Sequence, residues 1–167
     1  MADTKNWIYS FDDSVNARYV LGQPGIKNLL VIGVNPSTAT PEKPDLTIRK
    51  VIKISKDNGY DGWIMVNLYP QRSTDPKGMV YNQQLVTENL EQIKSICEKY
   101  KIKDVWCAWG DLIDAPDKKI FLHDSWNNIE NWLRGFGATF YHYGTLTGKK
   151  NPRHPSRVGY NLKFHKL

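Results

Sequence analysis

Asn28-Leu-Leu-Val-Ile-Gly-Val-Asn-Pro-Ser-Thr38 is an unbroken apolar run that ends in a polar turn, and its reading decides the fold. A strand with one wet face alternates apolar and polar side chains. Leu29 to Val34 shows no such alternation, so it is predicted to be a strand covered on both faces. Parallel sheets are covered in this way, because the helices that connect their strands lie over the sheet. Trp63-Ile-Met-Val-Asn-Leu68 and Asp104-Val-Trp-Cys-Ala-Trp109 repeat the pattern, and Ala138 to Tyr143 supplies a fourth strand.

Helical spacing fills the intervals. Ile48, Val51, Ile52 and Ser55 share a stripe, with Asp45 as its N-cap and Asn58-Gly59 as its stop. Val86, Leu90, Ile93, Cys97 and Tyr100 recur in alternating steps of four and three, which predicts a helix over 82–100. Leu122, Trp126, Ile129 and Leu133 mark a third helix, closed by Gly135 and Gly137. Strands alternating with helices imply right-handed crossovers and a parallel sheet with helices on both faces. Ahead of this series, Trp7–Phe11 and Ala17–Gly22, separated by Asp12-Asp13-Ser14, are predicted to form a hairpin.

At 167 residues the chain fits one domain, 1–167. No stretch approaches the roughly 20 apolar residues of a membrane span. Met1 to Asn6 lacks the basic and apolar regions of a secretory leader, and Cys97 and Cys107 fall inside a helix and a strand as small apolar residues, so a cytoplasmic protein is expected. His123, His142, His154 and His165 have no metal-ligand spacing, so neither metal nor cofactor is called for. No glycine-rich phosphate loop and no Ser/His/Asp pattern is present, which argues against kinases and standard hydrolases.

Charge is unevenly placed. Residues 1–130 hold 16 basic and 17 acidic residues, whereas 131–167 hold 7 basic and none acidic, so the net charge of +6 belongs to the final segment. Beside a cleft such a segment attracts phosphates, and standing alone it is a solvated tail.

In a parallel sheet the loops after the strands converge on one edge, where ligands bind. Those loops hold Asn35-Pro36-Ser37-Thr38, Asn67 to Asp75, Trp109-Gly110-Asp111 and Leu146 to Arg157. Asn35 offers both donor and acceptor, although Asn-Pro is also ordinary turn chemistry. Arg72 and Asp75 either pair with each other or leave Arg72 as an anion fork beside Tyr69 as a stacking ring. Trp109 presents a flat ring to the edge or packs in the core. His154, in the turn-rich Arg153-His154-Pro155-Ser156, is suited to donating a hydrogen bond or moving a proton, and Lys149, Lys150 and Arg157 around it suit phosphates.

Asn35-Pro-Ser-Thr-Ala39, Asp45 with Thr47-Ile48-Arg49, Asn67-Leu68-Tyr69 with Arg72 and Thr74-Asp75-Pro76, Ala108-Trp109-Gly110, and Leu146-Thr147 with Pro152-Arg153-His154-Pro155 resemble the bacterial and phage family called domain of unknown function 1643. More distantly, Gly33-Val-Asn-Pro36 and His154-Pro155-Ser156 resemble two motifs of uracil-DNA glycosylases, with Ser37 in place of a motif glycine. That resemblance implies a three-layer α/β/α sandwich around a mainly parallel four-stranded sheet. It implies that Asn35 positions the attacking water and His154 hydrogen-bonds the base carbonyl. It further implies Tyr69 or Trp109 as the ring holding an extruded base, and Val158 as the wedge that fills the vacated stack. Nucleic acid or a nucleotide is the expected partner. A non-catalytic binding module in the same cleft and an enzyme acting on a small anionic metabolite are the alternatives.

Overall fold

The computed structural model describes residues 6–75 and 78–167. Met1 to Lys5 of the leader reading, and Pro76 of the family motif, lie outside the described residues.

The chain opens with β1 (Ile8–Asp12) and β2 (Ala17–Gln23), an antiparallel hairpin closed by a 3-10 turn at Asp13–Val15. There follow β3 (Asn28–Gly33), α1 (Leu46–Asp57), β4 (Gly62–Asn67), α2 (Gln83–Tyr100), β5 (Asp104–Cys107), α3 (Lys119–Phe136), β6 (Thr139–Tyr143) and β7 (Phe164–Lys166). All strands share one sheet in the order β1-β2-β4-β3-β5-β6-β7, with β4, β3, β5 and β6 parallel. Among the described residues the sheet therefore has seven strands rather than the expected four. The hairpin joins β4 antiparallel, Leu21 facing Met65, and β7 joins β6 antiparallel, His142 facing His165. β7 belongs to the segment that composition alone reads as a tail; Phe164 anchors it on Trp106 and Tyr143, with ring centroids 5.3 and 5.0 Å apart.

Side chains alternate across the central strands, so each strand feeds two cores. Leu30, Ile32, Val66 and Val105 pack with Ile93 and Cys97 of α2 and Leu122, Ile129 and Leu133 of α3. Leu29, Val31, Met65 and Trp106 pack on the other face with Ile48, Val51 and Ile54 of α1. This double coverage is the reason these strands read as continuous apolar runs.

Two helices differ in detail from their sequence pattern. The fully buried face of α2 is Leu85, Asn89, Ile93 and Cys97, while Val86, Leu90 and Tyr100 lie at its margin. A polar residue is tolerated there because Asn89 Nδ2 donates to the Asn67 and Leu68 carbonyls at 2.8 and 3.4 Å. Gly135 lies inside α3, and Gly137, at φ 91°, ends the helix in the left-handed conformation that glycine adopts without a Cβ penalty. Among the described residues no helix is long and apolar enough to cross a membrane. Cys97 and Cys107 are buried and unbonded; burial pushes the Cys97 thiol up to about 12 and that of Cys107 well above its ordinary value, so neither is a nucleophile at neutral pH.

Candidate functional site

The carboxyl ends of the parallel strands are stitched to one another before their loops diverge. Leu68 N donates to Gly33 O (2.8 Å), Tyr69 N to Val34 O (2.9 Å) and Ala108 N to Ile32 O (2.8 Å), so each ladder continues past the named strand. Asn35 fixes the next step: its Nδ2 donates to the Ser73 carbonyl at 2.9 Å and the Gln71 carbonyl at 3.3 Å, and Ser73 N returns to Pro36 O at 3.1 Å. With the nitrogen committed, the amide orientation is set, and no described residue donates to Asn35 Oδ1.

A cavity of ≈ 630 Å³ opens at this edge, between the turn after β5 and the segment after β6. From the loop after β5 come Trp109, Gly110, Asp111 and Leu112; from the final segment come Thr147, Arg153, His154, Ser156 and Arg157. The volume is that of a small-molecule or nucleobase site. Four hydrogen bonds hold its walls together. Gly110 N donates to Pro152 O (2.7 Å), Thr147 Oγ1 donates to Asp111 Oδ1 (2.6 Å), and Asn151 Nδ2 bridges Asp111 and Asp114 at 3.0 and 2.8 Å. The Thr147 and Asn151 bonds hold the Asp111 carboxyl below its ordinary range, and those from Asn151 and His123 do the same for Asp114.

His154 is the chemically informative group on the wall. Its Nδ1 accepts from the Ser156 backbone N–H at 3.2 Å and lies 2.7 Å from Ser156 Oγ. A backbone N–H can only donate, so Nδ1 is unprotonated and the ring proton sits on Nε2. Burial pushes the imidazole down to about 4; the Asp45 carboxylate opposes that shift and the Arg157 charge adds to it. At neutral pH His154 is thus an uncharged Nε2–H donor.

Asp45 links this wall to the loop after β3. It caps α1, its Oδ1 accepting from Ile48 N at 2.9 Å, and its Oδ2 accepts from Ser37 Oγ at 2.5 Å. The same carboxylate acts on Arg18, a β2 residue only 2% exposed, whose Nη1 donates to Ala39 O at 3.0 Å and whose Nε has no partner among the described residues. Burial lowers the Arg18 guanidinium to about 10, which still leaves it charged. Sequence reasoning passed over Arg18. Its signal was a lone charge inside the otherwise apolar run Ala17 to Gly22.

The predicted residues divide clearly. Trp109, Gly110, Arg153, His154, Ser156 and Arg157 meet at the cavity; Asp45 acts electrostatically on His154, and Ser37 reaches it only through its hydrogen bond to Asp45. Asn35 is not among the lining residues. Asn67 is 1% exposed, lies so close to Gly33 that a Cβ there would stand 2.7 Å from Asn67 Oδ1, and has no partner for either amide atom among the described residues. Thr38, Lys149 and Lys150 are exposed. Arg153 is occupied within its own loop, its Nε donating to Thr145 O at 3.0 Å and its Nη2 to Leu146 O at 3.3 Å.

Several expectations are corrected here. Tyr69 is fully buried against Phe121, with its hydroxyl on the Val80 carbonyl at 2.5 Å, so it presents no face for stacking. Trp109 is 4% exposed and packs on Trp126 at 4.4 Å, which makes it a wall rather than a platform. Arg72 pairs with Asp13 at 2.8 Å and with the Tyr9 hydroxyl at 3.1 Å, tying the β4 loop to the hairpin turn, and Asp75 lies in the exposed turn beyond, where its carbonyl accepts from Gly78 N at 2.9 Å. Val158 is 4% exposed within the α1 core and cannot serve as a wedge; Leu112, 42% exposed, is the apolar side chain on the cavity wall. Thr147, within the predicted loop Leu146 to Arg157, lines the cavity as expected of that loop, whereas sequence reasoning missed Leu112.

The family model described as "Protein of unknown function (DUF1643)" matches residues 18–156. No curated protein and no solved structure matches the chain.

Proposed function

The chain belongs to the DUF1643 family, and from that premise we propose, on the chemistry of its own cavity, that it recognises a nucleobase and hydrolyses an N-glycosidic bond in DNA or a nucleotide. The observation that carries the proposal is His154, a neutral Nε2–H donor on the wall of a cavity large enough to admit a nucleobase. When the bond between the sugar C1′ and the base nitrogen breaks, the electron pair leaves with the base, and negative charge collects on its carbonyl oxygen. A preset neutral donor stabilises that charge without first losing a proton. Asn35 Oδ1, oriented by the Gln71 and Ser73 carbonyls but outside the cavity lining, is assigned to accept a hydrogen bond from the water whose oxygen joins C1′. The water's proton ends on the departing base.

Asn67, 1% exposed and outside the cavity lining, carries no part of this reading. The glycosylase-like three-layer arrangement around four parallel strands belongs to this proposal, as does Leu112 in the wedge role. Arg157, Lys149 and Lys150 are assigned to phosphates.

The test offers duplex and single-stranded oligonucleotides bearing uracil or other modified bases, and the matching free nucleotides, and measures base release and abasic-site cleavage. Release is expected from at least one substrate, with a loss of about a hundredfold or more in Asn35→Ala and in His154→Ala and an unchanged circular dichroism spectrum. No release from any substrate overturns the reading. A binding module without turnover is the second reading, favoured by one observation: Asp111, a carboxylate on the cavity wall, is held by Thr147 and Asn151 rather than left as a base.

A further inference from the structure

The 3-10 turn Pro155–Arg157 closes one side of the cavity and packs directly against α1. The chain then runs along α1 rather than away from it. Lys50 Nζ donates to the Val158 carbonyl at 2.7 Å. Tyr160 follows, 40% exposed, with Lys50 Nζ 5.9 Å and Lys53 Nζ 5.4 Å from its ring centroid. Leu162, 43% exposed, is fixed through its N–H to the Tyr143 hydroxyl at 3.0 Å, and the Lys163 carbonyl accepts from Gly144 N at 2.9 Å. Arg49 stands one turn before Lys53, exposed.

A ridge results, with Arg157 at its cavity end, Arg49, Lys50 and Lys53 along it and half-exposed Tyr160 beside Lys50 and Lys53, while half-exposed Leu162 and Lys163 follow where the chain returns to β6. The counter-charge on the ridge is slight: Asp57 pairs with Lys53 at 2.8 Å, and residues 131–167 contain no acidic side chain. Cations alternating with an exposed aromatic ring fit a chain that carries phosphates and unstacked bases at regular intervals. Paired bases hide their faces in a duplex and a free nucleotide has no second base to stack on the ridge once the cavity holds its first, so neither uses both features.

We propose that the α1 and 157–163 ridge is a binding track for single-stranded nucleic acid, which leads the strand into the cavity lined by His154. The proposal rests on the reading of that cavity as a nucleobase site, and it names the polymer rather than the free nucleotide as substrate.

The experiment uses the whole protein and a fluorescent single-stranded oligonucleotide of unmodified bases, with binding read by anisotropy across a salt series. Tyr160→Ala is expected to weaken binding about tenfold. Lys53→Gln and Arg157→Gln are each expected to flatten the slope of log affinity against log salt by about 0.7. Lys94→Gln, on α2 over the opposite face of the sheet, should change nothing, and His154→Ala should retain strand binding while losing base release. Equal affinity for the duplex, tighter binding to vesicles of anionic phospholipid, or Tyr160→Ala and Lys53→Gln proteins that bind the strand as the parent does, would each overturn the track. Base release that is absent from every substrate while strand binding follows these expectations refutes the catalytic reading and leaves the track standing. Base release that is equally fast from free nucleotides, in a protein indifferent to the ridge variants, does the reverse.

Discussion

At Gly110 one backbone conformation couples β5 to the basic segment. Its φ is +66°, its N–H reaches Pro152 O at 2.7 Å, and a Cβ placed there would lie 3.4 Å from His154 Cβ. Gly110→Ala is therefore expected to lose about 1–2 kcal/mol from left-handed strain and to disturb the turn that carries His154. A lowered urea midpoint together with reduced base release would show both effects, and an unchanged midpoint would refute the account. Trp109-Gly110 and His154 were legible in the sequence because they follow or flank strand ends, where loops converge regardless of their contents. Tyr69 also follows a strand end, yet it reaches no cavity because its ring is buried against Phe121. Arg18 was not legible: a charge in an opening hairpin reads as a solvent-facing residue until Ala39 and Asp45 fold over it.

Helix α1 joins the fold and the site, because its cap is also the site's carboxylate. Asp45 accepts from Ile48 N as a helix N-cap, accepts from Ser37, and places negative charge near Arg18 and His154. Asp45→Ala removes the cap and is expected to cost about 1 kcal/mol for that alone, plus the loss of the Ser37 tie. Asp45→Asn keeps an oxygen for Ile48 N, so any destabilisation that persists in it measures the charge rather than the cap. Thermal unfolding of the two variants separates these contributions, and equal losses would show that the cap contributes nothing. α1 and its cap were readable because a capping aspartate and an apolar stripe are local signals. β7 was not, because three residues form a strand there only through their pairing with β6 and the packing of Phe164 on Trp106.

Across the whole molecule the lowered pKa of His154 makes stability depend on pH in a window set by that residue. Its folded value is about 4 and its ordinary value 6.5, so between those limits the unfolded chain holds the proton and the folded one does not. Stability must therefore fall as pH drops from 6.5 towards 4 and level off below. His142, also lowered by burial and by His165, adds loss that begins at the same upper limit. Asp61, Asp111 and Asp114 are lowered carboxyls, whose contribution is present above 3.8 and lost as pH falls through their folded values. Two declines are thus expected, one for each chemistry. In His154→Gln the decline between pH 6.5 and 4 should shrink while the one below pH 4 stays, as read from urea midpoints at half-unit steps of pH. If the variant keeps the full upper decline, His154 is not held neutral in the folded protein, and the donor assigned to the departing base loses its physical basis.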